Sequence, residues 1–181
     1  MPGTDRVTLV DGCDRTIGAQ EKLQAHLEGN LHRAFSIFVF NSEGLLLLQR
    51  RALSKYHSGG LWTNTCCGHP RPEESVEAAA RRRLLEEMGF ELDLIRVFTF
   101  TYTARLANGL IENEIDHVFF GTFDQNPAPE PDEVADWQWL GEDQVRHQIG
   151  DDPERFTYWF KAALKNCKWP KVLETYVQER T

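Results

Sequence analysis

The sequence has no apolar run long enough to cross a bilayer, and its first residues, MPGTDR, lack the apolar stretch of a signal peptide. Basic residues are also in deficit. The chain has 20 Lys and Arg against 28 Asp and Glu, a formal net charge of -8. This balance argues against general nucleic-acid affinity, because phosphate backbones recruit basic surfaces. We therefore expect a cytoplasmic protein with no membrane and no nucleic-acid partner.

Cysteine is scarce, and its spacing excludes two common uses. Cys13, Cys66, Cys67 and Cys167 form no paired framework, and neighbours in sequence rarely bridge, so we expect reduced thiols. A structural zinc site needs two pairs of ligands at short spacing. Cys67 and His69 could supply half a pair, but no second pair follows them. A zinc knuckle is therefore disfavoured.

Length and composition indicate one soluble domain over residues 1–181, with 41% hydrophobic and 27% charged residues. Hydrophobic periodicity, helix formers and turn residues predict the elements. Strands are expected at 7–10, 34–40, 45–50, 94–104, 110–123 and 136–140, and helices at 19–30, 75–88, 153–166 and 171–180. The strands at 34–40 and 45–50 are expected to form a hairpin. This order predicts an α+β or α/β sandwich.

The stretch TNTCCGHP, residues 63–70, places a thiol and an imidazole two residues apart. Glu112 and Glu114 also lie two apart on a predicted strand, so both carboxylates face the same side. With His26, His32 and His69 they would make an N₃O₂ set suited to Mn²⁺, Zn²⁺ or Mg²⁺. The sequence does not show that these groups converge. A half-exposed strand and ordinary polar histidines remain the alternative.

Two basic runs and one aromatic stripe leave alternatives open as well. Arg50, Arg51 and Lys55 form one run, and residues 81–83 form the other. Either run is explained by a solvated surface or by contact with a small phosphorylated ligand. Trp159 belongs to a helical stripe that core packing alone would explain.

A longer pattern surrounds the second basic run. It comprises Gly68, Glu74, Arg82, Leu84, Glu86, Glu87, Gly89 and Phe90. The pattern resembles the Nudix box, a loop–helix–loop whose acids hold a divalent metal against a diphosphate. Arg83 departs from it, because a glutamate belongs at that position. The arginine reverses the charge and offers a fork of donors to phosphate oxygens.

The whole chain resembles the type I isopentenyl-diphosphate isomerases, a variant of this family. RRALSK (50–55), WTN (62–64) and CGHP (67–70) are the most specific pieces. The resemblance implies a Nudix fold, an α/β/α sandwich with a mixed central sheet and flanking helices. Its core would cover about residues 31–165, and an N-terminal extension, residues 1–30, would contribute to the site.

The resemblance also implies an activity. Isopentenyl diphosphate would become dimethylallyl diphosphate by protonation to a tertiary carbocation and loss of a neighbouring proton. Cys67 and Glu114 would be the acid–base pair, with Tyr102 hydrogen-bonded near the carboxylate. A thiol near neutral pKa can exchange protons, and the face of Trp159 offers cation–π stabilisation.

The implied metal ligands and substrate contacts complete the expected site. His26, His32, His69, Glu112 and Glu114 would bind one divalent metal: Mn²⁺, Zn²⁺ or Mg²⁺. Glu87 would help hold Mg²⁺ on the diphosphate, with Lys22, Arg51, Lys55 and Arg83 around the phosphate oxygens and Trp159 against the hydrocarbon end. The small diphosphate substrate would be the partner, and the protein would be a monomer or a homodimer.

The sequence is also compatible with two rival functions. Glu86 and Glu87 are compatible with a Nudix hydrolase acting on nucleoside diphosphate derivatives, whereas Arg83 argues against it. The other rival is a catalytically silent binding protein of the same fold. Cys66 offers an internal control, because neighbouring side chains in an extended segment point in opposite directions.

Overall fold

The computed structural model describes residues 5–179, so the ends of the predicted domain, residues 1–4 and 180–181, lie outside the described residues. The strands are β1 (Arg6–Val10), β2 (Thr16–Glu21), β3 (His32–Phe40), β4 (Leu46–Arg51), β5 (Trp62–Thr63), β6 (Cys66–Gly68), β7 (Ile95–Arg105), β8 (Ile111–Thr122) and β9 (Val134–Leu140). The helices are α1 (Lys22–Glu28), α2 (Val76–Met88), α3 (Glu142–Asp151), α4 (Tyr158–Lys165) and α5 (Trp169–Gln178), with a 3₁₀ turn at Pro153–Arg155.

The strands form one mixed sheet organised around β3. This strand runs parallel to β8, from the pair His32–Glu114 to the pair Phe40–Thr122. It pairs antiparallel with β6, where Ser36 faces Cys67. β7 and β8 form an antiparallel hairpin whose turn contains Gly109, at a φ of 82° that favours glycine. The mixed sheet and flanking helices confirm the predicted fold class.

Helices cover both faces of the sheet and bury a separate apolar cluster on each side. α4 and α5 contribute Phe160 and Trp169 to the cluster on one face. α2 contributes Ala80 and Leu84 to the cluster on the other face. The architecture is therefore the predicted α/β/α sandwich. Within residues 5–179, no helix is both long and apolar enough to cross a membrane.

The predicted hairpin of 34–40 with 45–50 was largely wrong. β3 and β4 pair only at Phe40 and Leu46, next to the turn. β4 instead pairs along its length with β9. Strands buried on both faces can accept several neighbours, so the apolar runs do not specify the partner.

Two predicted helices begin later in the structure. Residues 16–21 form β2 against β1, and Glu21 accepts hydrogen bonds from the backbone N–H groups of residues 23 and 24, which starts α1 at Lys22. The helix expected at 153–166 begins only at Tyr158. Thr157 is extended, and its N–H donates to the carbonyl of Trp62. The local sequence pattern does not predict this hydrogen bond to β5.

α2 follows its predicted bounds closely because both of its ends are encoded locally. The Ser75 hydroxyl accepts from the N–H of Ala78, and Gly89 ends the helix at a φ of 77°. The ion pair of Arg82 with Glu74 holds the preceding loop, with a nitrogen–oxygen distance of 2.8 Å. The loop before α2 and the helix itself are thereby held next to β6.

Candidate active site

A cavity of about 690 Å³ lies between the N-terminal segment, β6, α2, the ends of β7 and β8, and α4. Eleven of the thirteen predicted site residues line it: Lys22, Arg51, Lys55, Cys67, His69, Arg83, Glu87, Tyr102, Glu112, Glu114 and Trp159. The other two, His26 and His32, are fully buried. The fold therefore brings together residues that are up to 137 positions apart in the sequence, from Lys22 to Trp159.

The hydrogen bonds of the two buried histidines determine which ring nitrogen is free. His26 Nδ1 lies 2.7 Å from the carbonyl of Lys22, and His32 Nδ1 lies 2.7 Å from the carbonyl of Asn30. A carbonyl only accepts, so each Nδ1 carries a proton, and in the neutral ring Nε2 presents the lone pair. Both Nε2 atoms are buried without a hydrogen-bond partner. This arrangement is typical of imidazoles oriented as metal ligands.

Glu114 lies between two of these imidazoles. One of its carboxylate oxygens is 2.9 Å from His69 Nε2 and 3.3 Å from His32 Nε2. Burial alone would raise the pKa of Glu114, but the interactions with His32 and His69 hold it well below its usual range. Burial also lowers the pKa of His69 to about 4. An ionised carboxylate beside imidazole nitrogens is a donor set that fits a divalent cation.

Potential ligand atoms fall into two groups that share one histidine. His26, His32, His69 and Glu114 make the first, with all ligand atoms within 4.8 Å of one another. Glu112, expected with them, belongs to a second group with His26 and His57. Burial and the charge of Glu114 raise the pKa of Glu112 well above its usual range. The chain thus has His/Glu groups that could bind a metal.

Tyr102 connects the two carboxylates. Its hydroxyl donates to Glu114 at 2.6 Å, and the same oxygen lies 3.2 Å from Glu112 Oε2. The tyrosine is on β7, directly opposite Glu114 on β8. Burial raises the pKa of Tyr102 well above its usual value, so the phenol keeps its proton near neutral pH.

Cys66 and Cys67 point to opposite faces of the sheet. Cys66 is fully buried in the cluster against α2, whereas Cys67 lines the cavity and packs beside the other cluster. The expectation of a thiol pKa near neutral was wrong for Cys67. Burial raises its pKa to about 12, and the nearest cation, Arg51 Nη1 at 3.9 Å, only partly offsets this. The free protein therefore holds Cys67 as a neutral thiol.

Sequence comparison relates the chain to named proteins over nearly its full length. A NUDIX domain matches residues 30–160. An isopentenyl-diphosphate Delta-isomerase of Burkholderia multivorans is 54% identical over 92% of this chain and 94% of its own length. The chain belongs to this isomerase family. Proteins with the same name from Serratia proteamaculans and Pectobacterium atrosepticum are 52% and 50% identical, over 90% and 100% of this chain and 90% and 99% of their own lengths.

Solved structures support the same fold at lower identity. The protein DR0079 of Deinococcus radiodurans superposes with a TM-score of 0.69 at 22% identity, covering 81% of this chain and 90% of its own. A MutT NUDIX hydrolase of Burkholderia pseudomallei has a TM-score of 0.58 at 22% identity, covering 76% and 98%. At this identity the likeness shows the NUDIX fold alone.

The NUDIX helix α2 carries Arg83 and Glu87 toward the cavity. Glu87 is nearly buried and accepts from Arg83 at 2.5 Å and from Gln49 at 2.8 Å. Arg83 also donates to Glu86 and Glu133. The arginine of this isomerase-family chain therefore contacts three carboxylates, those of Glu86, Glu87 and Glu133.

The other three predicted phosphate contacts have partners of their own. Lys22 pairs with Asp5 at 3.0 Å, and Lys55 pairs with Glu133. Arg51 is nearly buried and lies over the ring of Trp159, 5.3 Å from its centroid. Trp159 Nε1 is buried without a hydrogen-bond partner. A cationic wall and an aromatic face thus meet in one part of the isomerase-family cavity.

Several cavity residues were missed from sequence. They are Asp5, Ser36, Tyr56, His57 and Glu133. Asp116, buried behind Ser36, was missed as well. Asp116 could have been found, because it continues the alternation of Glu112 and Glu114 along β8. It is buried and accepts from the Ser36 hydroxyl at 2.7 Å. His57 and Glu133 carry no such local pattern, since loop and connection residues reach the site only through folding.

Proposed function

We propose that the protein interconverts isopentenyl diphosphate and dimethylallyl diphosphate. The observation that carries this proposal is the 54% identity to a protein of that name over nearly all of both chains. The cavity supports it independently, because a neutral thiol and an ionised carboxylate face one space with an aromatic ring beside them. The expected substrate is a small diphosphate, not a nucleic acid.

The reaction requires one proton to be delivered to the terminal alkene carbon and one to leave the neighbouring CH₂. We infer that Cys67 and Glu114 are the two proton-transfer groups. In the free protein the proton lies on Cys67, and Glu114 is ionised with Tyr102 donating to it. Positioned acid–base groups contribute about 10²–10⁴-fold to rate.

The carbocation between the two transfers needs a dry and electron-rich surrounding. Trp159 is almost fully buried, and its face is worth on the order of 2 kcal/mol to a desolvated cation. Arg51 lies over the same ring in the free protein. We infer that Lys22, Arg51, Lys55 and Arg83 bind the phosphate oxygens, exchanging carboxylate partners for the substrate.

Divalent metal ions fit two places in this proposal. His26, His32, His69, Glu114 and Glu112 would hold one ion (Mn²⁺, Zn²⁺ or Mg²⁺), which the paired Nε2 lone pairs and the ionised carboxylate support. Glu87 would help hold Mg²⁺ on the diphosphate. When bound, these ions supply positive charge that fixes the carboxylates and neutralises the phosphates.

Domain organisation and location extend the same proposal. We infer one domain, with the NUDIX core at about residues 31–165 and residues 1–30 as an extension that contributes Lys22 and His26 to the site. The four unpaired cysteines suit the reducing cytoplasm. The protein is expected to be a monomer or a homodimer.

One NMR time course tests the proposed reaction. The protein, Mg²⁺ and Mn²⁺ are mixed with isopentenyl diphosphate in D₂O, and methyl signals, deuterium entry and inorganic phosphate are followed together. We expect dimethylallyl diphosphate carrying solvent deuterium. Growing inorganic phosphate with an unchanged alkene would instead identify a hydrolase, and no change with metal bound would identify a silent binding protein.

A further inference from the structure

Three buried polar side chains form a chain of hydrogen bonds outside the cavity. Thr63, Asn64 and Thr157 are all fully buried. The hydroxyl oxygens of Thr63 and Thr157 are 2.8 Å apart, and Thr63 Oγ1 is 2.8 Å from Asn64 Oδ1. None of the three belongs to the cavity wall as residues 5–179 define it. They therefore make no direct contact with a ligand held in the cavity.

The donor of each hydrogen bond in this chain is determined by its neighbours. The Asn64 amide nitrogen is 2.7 Å from the carbonyl of Cys66 and 3.1 Å from that of Ile37, so Nδ2 donates to both. Asn64 Oδ1 can then only accept, and the single hydroxyl proton of Thr63 goes to it. Thr157 therefore donates to Thr63. The bonds all run in one direction, from Thr157 to the Cys66 carbonyl, and aligned bonds strengthen one another.

The hydroxyl of Thr157 makes this tertiary contact instead of capping its own helix. Thr157 is the N-cap residue of α4, where a threonine oxygen usually accepts a hydrogen bond from the first turn. Within the described part of the chain, α4 has no such side-chain cap. The hydroxyl instead meets Thr63, 94 positions away in sequence, and the Thr157 N–H donates to the Trp62 carbonyl at 3.0 Å. The start of α4 is thus bound to β5 by two hydrogen bonds.

The two ends of this chain carry groups that the proposed reaction uses. Trp159 lies in the first turn of α4, two residues after Thr157, and Cys67 directly follows the Cys66 carbonyl. The side chains of Trp159 and Cys67 both line the cavity. The hydrogen-bond chain therefore joins the segment that bears the thiol to the segment that bears the aromatic ring.

We propose that Thr157, Thr63 and Asn64 are positioning residues, which hold the ring of Trp159 in a fixed relation to the thiol of Cys67. The inference rests on the proposed function, in which the thiol and the ring act on the same hydrocarbon group. A misplacement of about 1 Å between reacting groups can cost about 10²-fold in rate. The chain should therefore affect turnover more than substrate binding.

The kinetic test uses variants that keep the side-chain volume but lose the hydroxyl. Thr157→Val should lower kcat for isopentenyl diphosphate by about tenfold or more and leave KM within about twofold, because the cations expected to bind the diphosphate lie on other elements. Thr157→Ser keeps the hydroxyl and should retain most of kcat. The matched control is Thr65→Val. Thr65 is fully buried and donates to the Leu47 carbonyl on β4 at 2.7 Å, so its loss should lower stability and leave kcat unchanged.

A double variant separates a connected chain from independent contacts. Thr63→Val removes both the acceptor for Thr157 and the donor to Asn64, so adding Thr157→Val should lower kcat no further. Losses that multiply in the double variant would overturn the proposal. A wild-type kcat in Thr157→Val would do the same, as would an equal loss of kcat in Thr65→Val. Urea unfolding shows which variants are folded, and the comparison of Thr157→Val with Thr157→Ser decides alone if Thr63→Val is not.

A second measurement needs no activity. The protein is labelled with 5-fluorotryptophan, and the ¹⁹F resonance of Trp159 is assigned by its absence in Trp159→Phe. Thr63→Val should shift this resonance, whereas Thr65→Val should leave it in place. An unmoved resonance in Thr63→Val would refute the connection even if kcat fell. A wild-type protein without isomerase activity would refute the proposed function, while the fluorine spectra would still decide whether the chain positions Trp159.

Discussion

The adjacent cysteines allow the acid–base role to be separated from packing. Cys67→Ala removes a thiol that lines the cavity, and Cys66→Ala removes one from the opposite face of the same strand. Losing one acid–base group should lower kcat by about 10²–10⁴-fold, which corresponds to about 3–5 kcal/mol in the barrier. Because Cys66 does not reach the cavity, we expect Cys66→Ala to retain most of kcat.

The effects on stability should be the reverse, with Cys66→Ala lowering the free energy of unfolding more than Cys67→Ala. Cys66 is fully buried among residues that include Phe35 and Ile37, so its truncation leaves a small void and should cost about 1–2 kcal/mol of unfolding free energy. Cys67 is only partly buried by solvent accessibility, and its truncation should cost less. Urea unfolding measures the free energy, and the rate of deuterated product formation measures kcat.

The two variants should thus lose different properties. Equal losses of kcat at both cysteines would refute the assignment, because only one of them faces the cavity. A Cys67→Ala enzyme that keeps more than a tenth of wild-type kcat would refute it as well. Cys13→Ala, at an exposed cysteine in the turn between β1 and β2, is the reference for the effect of removing any thiol.

The remaining predictions concern a hydrogen bond, a buried acid and a glycine. Tyr102→Phe should lower kcat by about 10-fold or more with little change in KM, since the 2.6 Å bond to Glu114 is lost; an unchanged kcat contradicts this. Burial raises the pKa of Asp116 from 3.8 to about 8, so between these pH values the folded state binds more protons than the unfolded state. The free energy of unfolding of the metal-free protein should therefore fall as the pH rises from about 4 to about 8, by on the order of 5 kcal/mol. Asp116→Asn should flatten this dependence in urea unfolding, and parallel curves would refute the raised pKa. Gly89→Ala should destabilise the protein by about 2 kcal/mol or more, because φ is 77° and a Cβ would lie 2.3 Å from the Ala128 carbonyl oxygen. Gly150→Ala is the control, because a Cβ there meets open space and should not destabilise the protein. Equal melting temperatures for the two variants would contradict this prediction.

Local sequence was sufficient to predict a structural feature where the residues that determine it lie within a few positions of one another. Ser75 and Gly89 cap α2, so its bounds followed from the sequence. Alternation along an extended strand put Glu112 and Glu114 on one face and separated Cys66 from Cys67, as β8 and β6 show. The resemblance to the isomerase family, which rests on the Nudix-box pattern and on CGHP (67–70), then predicted thirteen site residues. Eleven of them line one cavity, and the other two are fully buried.

Tertiary structure decided the properties that depend on distant groups. The parallel pairing of β3 with β8 sets His32 opposite Glu114, and folding brings the loop residue His57 beside Glu112. The division of the ligand atoms into two groups sharing His26 followed only from that packing. The pKa of Cys67 likewise could not be predicted from its neighbours in sequence, because burial, which raises it to about 12, is a property of the whole fold. Sequence by itself therefore predicted the fold and eleven of the residues that line the cavity. Only the three-dimensional packing decided their protonation and their partners, because desolvation and interatomic distances arise when remote segments meet.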